Sequence, residues 1–377
     1  MSLRDLGLAF LVVTLWGANF TLIRLGLDGV PPLLLAALRY ALAAFPFVLF
    51  IRPPAVAGRY WVAYGLTAGL SQFACLFTAI HAGLPAGLAS VILQSQVLFT
   101  TAFAWLLLKE PVTRAQLVGL GVAVAGLGLV AAGEPALGTQ PIPARAFALA
   151  LAAAASWGLS NIVIRLAAAS AQRRGMRLDM FSVVVWSSLI PPVPLFALAS
   201  VLGETASLAR NITTLAPLSA FAVAFQAYGA TLVGAGLWSY LMGRYPASQV
   251  APLSLLVPVT GLLTAYGVLG ERVSFVQGLG CATALGGLAL SLLARSRPQP
   301  AQARVGQRAQ VAAPVEVDQR HLPDDELLDE RDLGDDGHPR RVEGDDDLHV
   351  DRHLKEDPVE GLVDARRLEG GPGGHLH

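Results

Sequence analysis

The sequence predicts an all-α polytopic membrane protein with ten transmembrane helices, arranged as two inverted-topology repeats of five helices each. The first observation behind this prediction is composition: 54% of the 377 residues are hydrophobic and only 14% are charged. With a mean hydropathy of +0.55, the chain is too apolar for a soluble protein of this length. The second observation is an internal repeat that includes polar as well as apolar positions.

The repeat is clearest between Gln94 and Gly126, where a charged break separates two apolar helices, and this pattern recurs 161 positions later. Glu110 then aligns with Glu271, and Gln116 with Gln277. Nearer the start of each copy, a Trp-Gly pair followed by an arginine recurs at an offset of 141, so that Trp16 aligns with Trp157 and Arg24 with Arg165. Two or more polar residues inside apolar sequence rarely recur at the same offset by chance. The chain therefore contains two copies of one unit.

Ten segments are long enough to cross a hydrocarbon core of about 30 Å, which takes roughly 20 helical residues. Turn-forming and charged residues separate them. The predicted spans are 6–27, 33–51, 60–80, 86–108, 115–133, 145–167, 180–202, 216–241, 247–269 and 276–294. The first span begins like a signal peptide but lacks a small-residue cleavage site, so we expect it to remain uncleaved.

The domain organisation that follows is a first repeat over residues 1–134, a second over 145–295, and a polar tail over 296–377. The tail has no Phe, Tyr, Trp, Ile or Met and therefore cannot bury a core, so we predict that it is disordered. Its shuffled acids and arginines also resemble GC-rich DNA translated in an unselected frame. Our hypothesis is a frameshift or gene-model artefact, with a neutral extension as the alternative.

The orientation follows from the distribution of Lys and Arg, which favour cytoplasmic loops. With the N-terminus inside, eleven basic residues of the predicted membrane body fall on the cytoplasmic side and four on the other. Both termini are therefore predicted to be cytoplasmic. Because five spans is an odd number, the second repeat must enter the membrane in the opposite orientation to the first. Inverted repeats are typical of transporters; a membrane enzyme or a structural scaffold with a duplicated body is the alternative.

Four motifs occur in order along the chain: WGxNF at Trp16–Phe20, PPxxxAxxRY at Pro31–Tyr40, PAGLAS at Pro85–Ser90, and GRY…VAPLSLLVPV at Gly243–Val259. Together they resemble the EamA family of the drug/metabolite transporter superfamily, and most closely its O-acetylserine/cysteine exporters. The resemblance covers residues 5–294 and implies an inner-membrane exporter of small amino-acid-like metabolites, with cysteine and O-acetylserine as substrates. Other amino acids or drugs are the alternative. The implied partners are a small-molecule substrate and the lipid bilayer, without nucleic acid.

Arg39 is the only charged residue deep inside a predicted span. It lies seven residues after Pro32, about 10 Å into the second span at 1.5 Å per residue. Charged groups in hydrocarbon are costly and often functional. We predict that Arg39 anchors a substrate carboxylate; the alternative is an arginine that extends to the outer interface or caps carbonyls of a neighbouring helix.

Polar and aromatic residues in other spans complete the candidate site. Trp16 with Asn19, and Trp157 with Asn161, are predicted to form two patches that flank a central cavity; the alternative is a packing motif. In the fourth span, Gln94 and Gln96 are two residues apart and face different directions on a helix, so we expect one to line the path and the other to bond a neighbouring helix. The predicted substrate-binding residues are Arg39, Trp16, Asn19, Gln72, Gln94, Trp157, Asn161, Gln226 and Tyr240.

The acidic residues of the membrane body all lie at span ends or in loops, so the sequence predicts neither a buried proton relay nor a paired-acid magnesium site. No metal, cofactor or enzymatic activity is expected. Cys75 and Cys281 lie within apolar runs and suggest no disulfide framework.

Small residues spaced four apart in the fifth and tenth spans allow close helix contact. The pairs are Gly121 with Ala125, and Ala282 with Gly286. We predict that these two spans pack against each other through these pairs; a homodimer face is the alternative.

The orientation leads to a first testable prediction. Reporter fusions near Arg59, Arg114 and Arg174 should report the cytoplasmic side, and those near Glu134 and Arg272 the opposite side, because basic residues resist translocation. The Arg114 and Arg272 loops are repeat equivalents, so a result that places both on one side would contradict the inverted repeat.

Overall fold

A computed structural model of the protein describes residues 1–134, 140–211 and 217–295. In these ranges ten helices, numbered α1 to α10, are long and apolar enough to cross a membrane: Leu3–Leu27, Pro32–Leu49, Gly58–His81, Ala86–Leu108, Arg114–Ala132, Ala144–Gln172, Met180–Val201, Pro217–Arg244, Pro252–Leu269 and Phe275–Ala294. The described residues contain no strand. The all-helical prediction of ten spans is confirmed, with ends that differ by five residues at most. The predicted disordered tail, 296–377, lies outside the described residues.

Local signals in the sequence explain where several helices begin and end. A capping box starts α5, in which Thr113 accepts from the Gln116 amide and the Gln116 side chain accepts from the Thr113 amide. The helices α4 and α9 end at repeat-equivalent residues with left-handed backbone, Lys109 (φ 56°) and Gly270 (φ 68°). Equivalent stop positions in the two copies support a common ancestry of the repeats.

Each helix has a counterpart five helices along the chain, and replacing the helices of a contact by their counterparts gives another observed contact. The α1–α9 contact corresponds to α6–α4, and the α1–α8 contact corresponds to α6–α3. The pair α5 and α10, and the pair α4 and α9, each contact their own counterparts. The two repeats are therefore related by a pseudo-twofold axis, as expected for an inverted duplication.

Backbone contacts at glycine hold α5 and α10 together. A Cβ atom at Gly126 would lie 2.3 Å from the Ala284 nitrogen, and one at Gly287 would lie 2.4 Å from the Ala123 nitrogen. The prediction that these helices meet is correct, but the residues predicted for the contact are wrong. Gly121 and Gly286 face outwards, where an added Cβ would have no other atom within 4 Å. Both faces carry small residues, and only the crossing of the helices decides which one is used.

The third and fourth helices of each repeat are irregular at related positions. The α3 and α8 helices contain π-helical segments, Gly65–Ser71 and Phe225–Val233. The α4 helix is interrupted between Leu93 and Gln96, and α9 starts with a 3₁₀ segment, Ala251–Leu256, before its α-helical part. Irregular backbone inside a membrane protein is tolerated where it is buried in protein or lines a cavity, and it often marks binding sites.

The glycine contacts generate the second prediction. Gly126→Ala should lower the melting temperature of the detergent-purified protein by several degrees, because overpacking against backbone costs about 1–3 kcal/mol. The matched control is Gly121→Ala on the outward face of the same helix, which should leave the melting temperature unchanged or slightly raised. Equal effects of the two substitutions would contradict the assigned packing face.

Candidate functional site

The Arg39 side chain lies inside the helix bundle, with 6% of its surface exposed. Its Nε donates a hydrogen bond of 3.0 Å to Thr231 Oγ1, in the π-helical segment near the middle of α8. The guanidinium carbon lies 4.0 Å from the centre of the Phe73 ring on α3, a favourable cation–π distance. Three helices, α2, α3 and α8, therefore fix the position and plane of this group.

The guanidinium has unused bonding capacity. Arg39 Nη1 is buried and has no hydrogen-bond partner. Among the described residues the ion pairs are Arg24–Asp28, Arg165–Glu110 and Arg244–Asp5, so no carboxylate of these residues neutralises Arg39. A buried cation without a counter-ion is strongly unfavourable. The arrangement is suited to an anion that is not part of the described chain.

Contacts along the seam between α1 and α8 define how these antiparallel helices align. At one end, a Cβ atom at Gly26 would lie 3.3 Å from the Ala222 Cβ. At the other, Trp16 Nε1 donates a 3.0 Å hydrogen bond to the Ala230 carbonyl, and the Trp16 ring packs 5.2 Å from that of Trp238. Ala230 precedes Thr231 in the chain, so Trp16 and Arg39 reach α8 at neighbouring residues.

Two buried amides lie between these contacts. Gln226 is fully buried, and neither its Oε1 nor its Nε2 has a partner. Asn19 is 6% exposed, and its Oδ1 also lacks a partner. Thr231 Oγ1, which accepts from Arg39, donates to the Gln226 carbonyl over 2.7 Å. We call Arg39, Asn19, Gln226 and Thr231 the central polar site.

A second polar cluster joins α4 to α6. Gln96 Oε1 accepts from Asn161 Nδ2 over 2.7 Å and from Thr100 Oγ1 over 3.2 Å, while Gln94 Nε2 donates to the Ser254 carbonyl over 3.3 Å. The two glutamines face different ways, as expected, but both bond to neighbouring helices. Both residues lie at the interruption of α4 that follows Leu93.

The remaining predicted residues lie around this framework. Trp157 is half-buried and packs against the main hydrophobic cluster, and Gln72 is buried on α3 directly before Phe73. Tyr240 is 42% exposed and accepts a 3.0 Å bond from Arg244 Nη1. The structure therefore brings Arg39, Asn19 and Gln226 into one region with Trp16 beside it, and it leaves Tyr240 apart.

Sequence reasoning missed Thr231, although a signal for it exists. The motif Tyr-Gly-x-Thr occurs at Tyr64–Thr67 and again at Tyr228–Thr231, an offset of 164. Both copies overlap the π-helical segments of α3 and α8. A search for short repeats within the third span of each copy would have identified it.

Two acidic residues of the second repeat accept hydrogen bonds from backbone amides at the N-termini of helices in the first repeat. Glu271 accepts from the Ala86 and Gly87 amides at the start of α4 over 2.8 and 2.9 Å. Glu204 accepts from the Leu33 and Leu34 amides at the start of α2 over 3.0 and 3.2 Å. Helix N-termini favour negative charge. Burial raises the pKa of the Glu204 carboxyl, and the two amides and the nearby His81 partly oppose this increase.

Sequence comparison identifies the scaffold that carries this site. The model of the EamA-like transporter family matches the chain twice, over residues 5–132 and 144–293. The chain belongs to the EamA-like transporter family. This membership confirms the family resemblance noted in the sequence, and the EamA-like chain is accordingly a multi-pass inner-membrane protein.

Related EamA-like proteins cover almost the same length. A protein of Escherichia coli (strain K12) named "Probable amino-acid metabolite efflux pump" is 40% identical over 292 residues, which are 78% of this chain and 96% of that protein. Its namesake in Salmonella typhimurium is 42% identical over 293 residues, with the same coverage of 78% and 96%. A "Probable terminal-alkyne amino-acid exporter" of Streptantibioticus cattleyicolor is 27% identical over 69% of this chain and 84% of its own.

A solved crystal structure shares the fold. It superposes with a TM-score of 0.52 over 79% of this chain and 99% of its own, at 20% sequence identity. At this level of identity the likeness supports the ten-helix fold alone.

Proposed function

We propose that the protein exports small amino-acid-like metabolites across the inner membrane and that Arg39 binds the substrate carboxylate. One observation carries the proposal: a guanidinium 6% exposed, with Nη1 unpaired and no carboxylate partner among the described residues. Arginine binds carboxylates through paired, charge-assisted hydrogen bonds. A carboxylate substrate would supply the missing counter-ion.

The surroundings of Arg39 favour binding rather than a structural role alone. Thr231 holds Nε and Phe73 supports one face of the guanidinium, so the Nη edge remains for a ligand. Because the group is already oriented, little conformational entropy is lost when an anion binds. Arg165 also has a buried Nη1 without a partner, but it pairs with Glu110, whereas Arg39 has no carboxylate counter-ion among the described residues.

The relatives support the choice of substrate class. Proteins 40% and 42% identical to this chain are named as amino-acid metabolite efflux pumps. Amino acids carry a carboxylate, which is the partner that Arg39 does not have among the described residues. Cysteine and O-acetylserine, which the sequence resemblance implies, are small enough for a closely packed bundle. Drugs without an anionic group are less well matched because they would leave Arg39 unpaired. The family is one of transporters, which disfavours an enzyme or a scaffold.

Transport is proposed to occur by alternating access between the two repeats, with both termini in the cytoplasm. Repeat-equivalent ionic groups have different partners in the two halves. Arg165 pairs with Glu110. Their equivalents are Arg24 and Glu271, yet Arg24 pairs with Asp28 while Glu271 caps α4. The repeats thus have similar sequences but different arrangements at opposite ends of the bundle.

This difference suggests the second transport state. If the two repeats exchange arrangements, Arg24 moves from Asp28 to Glu271 and Arg165 releases Glu110. Each end of the bundle would then be closed by an Arg–Glu pair in one state and open in the other. Because all four side chains lie near span ends, exchange of partners requires no charge to cross the hydrocarbon core.

The third prediction concerns Arg39. Arg39→Lys keeps the charge but loses the planar fork, so efflux should weaken. Arg39→Gln should abolish efflux of carboxylate-bearing substrates at near-normal membrane abundance. The measurement is efflux of labelled cysteine and O-acetylserine from overproducing cells, normalised to folded protein. The control is Arg59→Gln, which removes a span-end arginine that packs on the ring of its neighbour Tyr60 and should not alter normalised efflux.

A structural cap gives a different pattern. Both Arg39 variants would then lose abundance or thermal stability, while efflux per folded molecule would stay near the wild-type value. Unchanged normalised efflux in Arg39→Gln would remove Arg39 from the substrate site.

The fourth prediction concerns the exchange of ionic partners. In a background without Cys75 and Cys281, cysteines at positions 110 and 165 should cross-link in one state, and cysteines at 24 and 271 in the other. Each cross-link should stop transport, and formation of either should suppress the other by at least several-fold, because the two arrangements are alternatives. Full cross-linking of both pairs in the same molecules would contradict the exchange.

A further inference from the structure

We propose that Asn19 and Gln226 bind the α-ammonium group of the substrate and thereby restrict transport to zwitterionic amino acids. This inference rests on the proposed function, in which Arg39 binds the carboxylate. It adds two specificity-determining residues, and it assigns roles to the two amides that the helix packing leaves without partners.

The first argument is position. On α8, Gln226 is four residues from both Ala222 and Ala230, which contact Gly26 and Trp16 of α1. Asn19 lies three residues after Trp16, on a similar face of α1. At a rise of 1.5 Å per residue, the two amides lie within about one helical turn of each other along the seam. The hydrogen bonds from Arg39 to Thr231 and from Thr231 to the Gln226 carbonyl connect Arg39 to the same turn.

The second argument is the hydrogen-bonding inventory. In the central polar site the unpaired atoms are two donors, Arg39 Nη1 and Gln226 Nε2, and two acceptors, Gln226 Oε1 and Asn19 Oδ1. Elsewhere among the described residues, Ser95 Oγ and Arg165 Nη1 are also buried without a partner. An α-amino acid has the complementary set, since its carboxylate accepts and its ammonium only donates. The carboxylate fits the two donors and the ammonium fits the two acceptors. A simple carboxylate would leave both acceptors unsatisfied, at about 1–3 kcal/mol for each buried group.

The third argument is a contrast within the same protein. Three other amides of the bundle are used for packing and have partners: Gln96 binds Asn161, Gln94 binds the Ser254 carbonyl, and Gln116 caps its own helix. Asn19 Oδ1 and Gln226 Nε2 are complementary but do not bond to each other. Buried polar atoms are normally satisfied, so these exceptions indicate a ligand rather than interhelical bonding.

The experiment uses three probes that differ by one group each. L-cysteine carries both charges, 3-mercaptopropionate lacks the ammonium, and cysteamine lacks the carboxylate. Binding of each to the purified full chain under reducing conditions is measured by ligand-induced thermal stabilisation and by competition against labelled L-cysteine. The wild type should prefer L-cysteine to either analogue by at least tenfold, because a site built for a polar group rejects a ligand that lacks it.

Gln226→Met and Asn19→Leu preserve side-chain size approximately while removing the amide. Asn19→Leu should weaken L-cysteine binding by about tenfold or more and leave 3-mercaptopropionate within about threefold of the wild type, so that the preference for the zwitterion collapses. Gln226→Met also removes the Nε2 donor assigned to the carboxylate, so it should weaken both ligands, but L-cysteine by at least several-fold more. Arg39→Gln should instead reduce binding of both carboxylates. The matched control is Gln96→Met, which removes a partnered amide and should keep the wild-type preference.

The outcomes separate the two proposals. If Asn19→Leu or Gln226→Met leaves the preference for L-cysteine over 3-mercaptopropionate at the wild-type value, ammonium recognition by that residue is refuted, while carboxylate binding by Arg39 can still stand. If the wild type binds none of the three probes, or if Arg39→Gln binds both carboxylates normally, the proposed carboxylate site itself fails.

Discussion

A guanidinium buried in an apolar helix bundle, with no carboxylate partner among the described residues, is the constraint that organises the centre of this protein. Arg39 keeps its position because α3 provides the Phe73 ring and α8 provides the Thr231 hydroxyl. Thr231 in turn lies in a π-helical segment, where the wider turn lets its hydroxyl bond the carbonyl five residues earlier. A regular α8 would present different side chains to Arg39. The irregular helix and the buried charge are therefore parts of one feature.

The duplication supplies a symmetric scaffold, and the chemistry breaks the symmetry. Both copies contribute a π-helical segment in their third helix and irregular backbone in their fourth, but among the described residues only the first copy has an arginine with almost no exposed surface, Arg39. The polar atoms without partners near Arg39 belong to α1, α2 and α8, so the site draws on both repeats. A site shared by two repeats changes shape when they move relative to each other, which is the physical requirement for alternating access.

The remaining contacts divide into rigid and exchangeable ones. Glycine lets α5 and α10 touch through their backbones, and close-packed backbone has no alternative arrangement of similar energy. The Arg–Glu and Arg–Asp pairs at the bundle ends are partly exposed, so each contributes little to stability and can be replaced by another pair at small cost. Stability and movement thus reside in different parts of the fold.

Sequence alone determined the number of helices, their approximate limits, the duplication and the family, because hydropathy over about 20 residues and polar matches at fixed offsets are properties of the chain itself. It also selected Arg39, Asn19 and Gln226, since a polar residue within an apolar span is visible without a structure. It could not select between the two small-residue faces of α5 and α10, because both satisfy the same spacing. It predicted that one of Gln94 and Gln96 would bond a neighbouring helix, but not that both would while Gln226 would not. Those outcomes depend on where helices are interrupted and which helix faces meet. Only the tertiary packing decides which buried polar atoms bond within the protein and which remain available to a ligand.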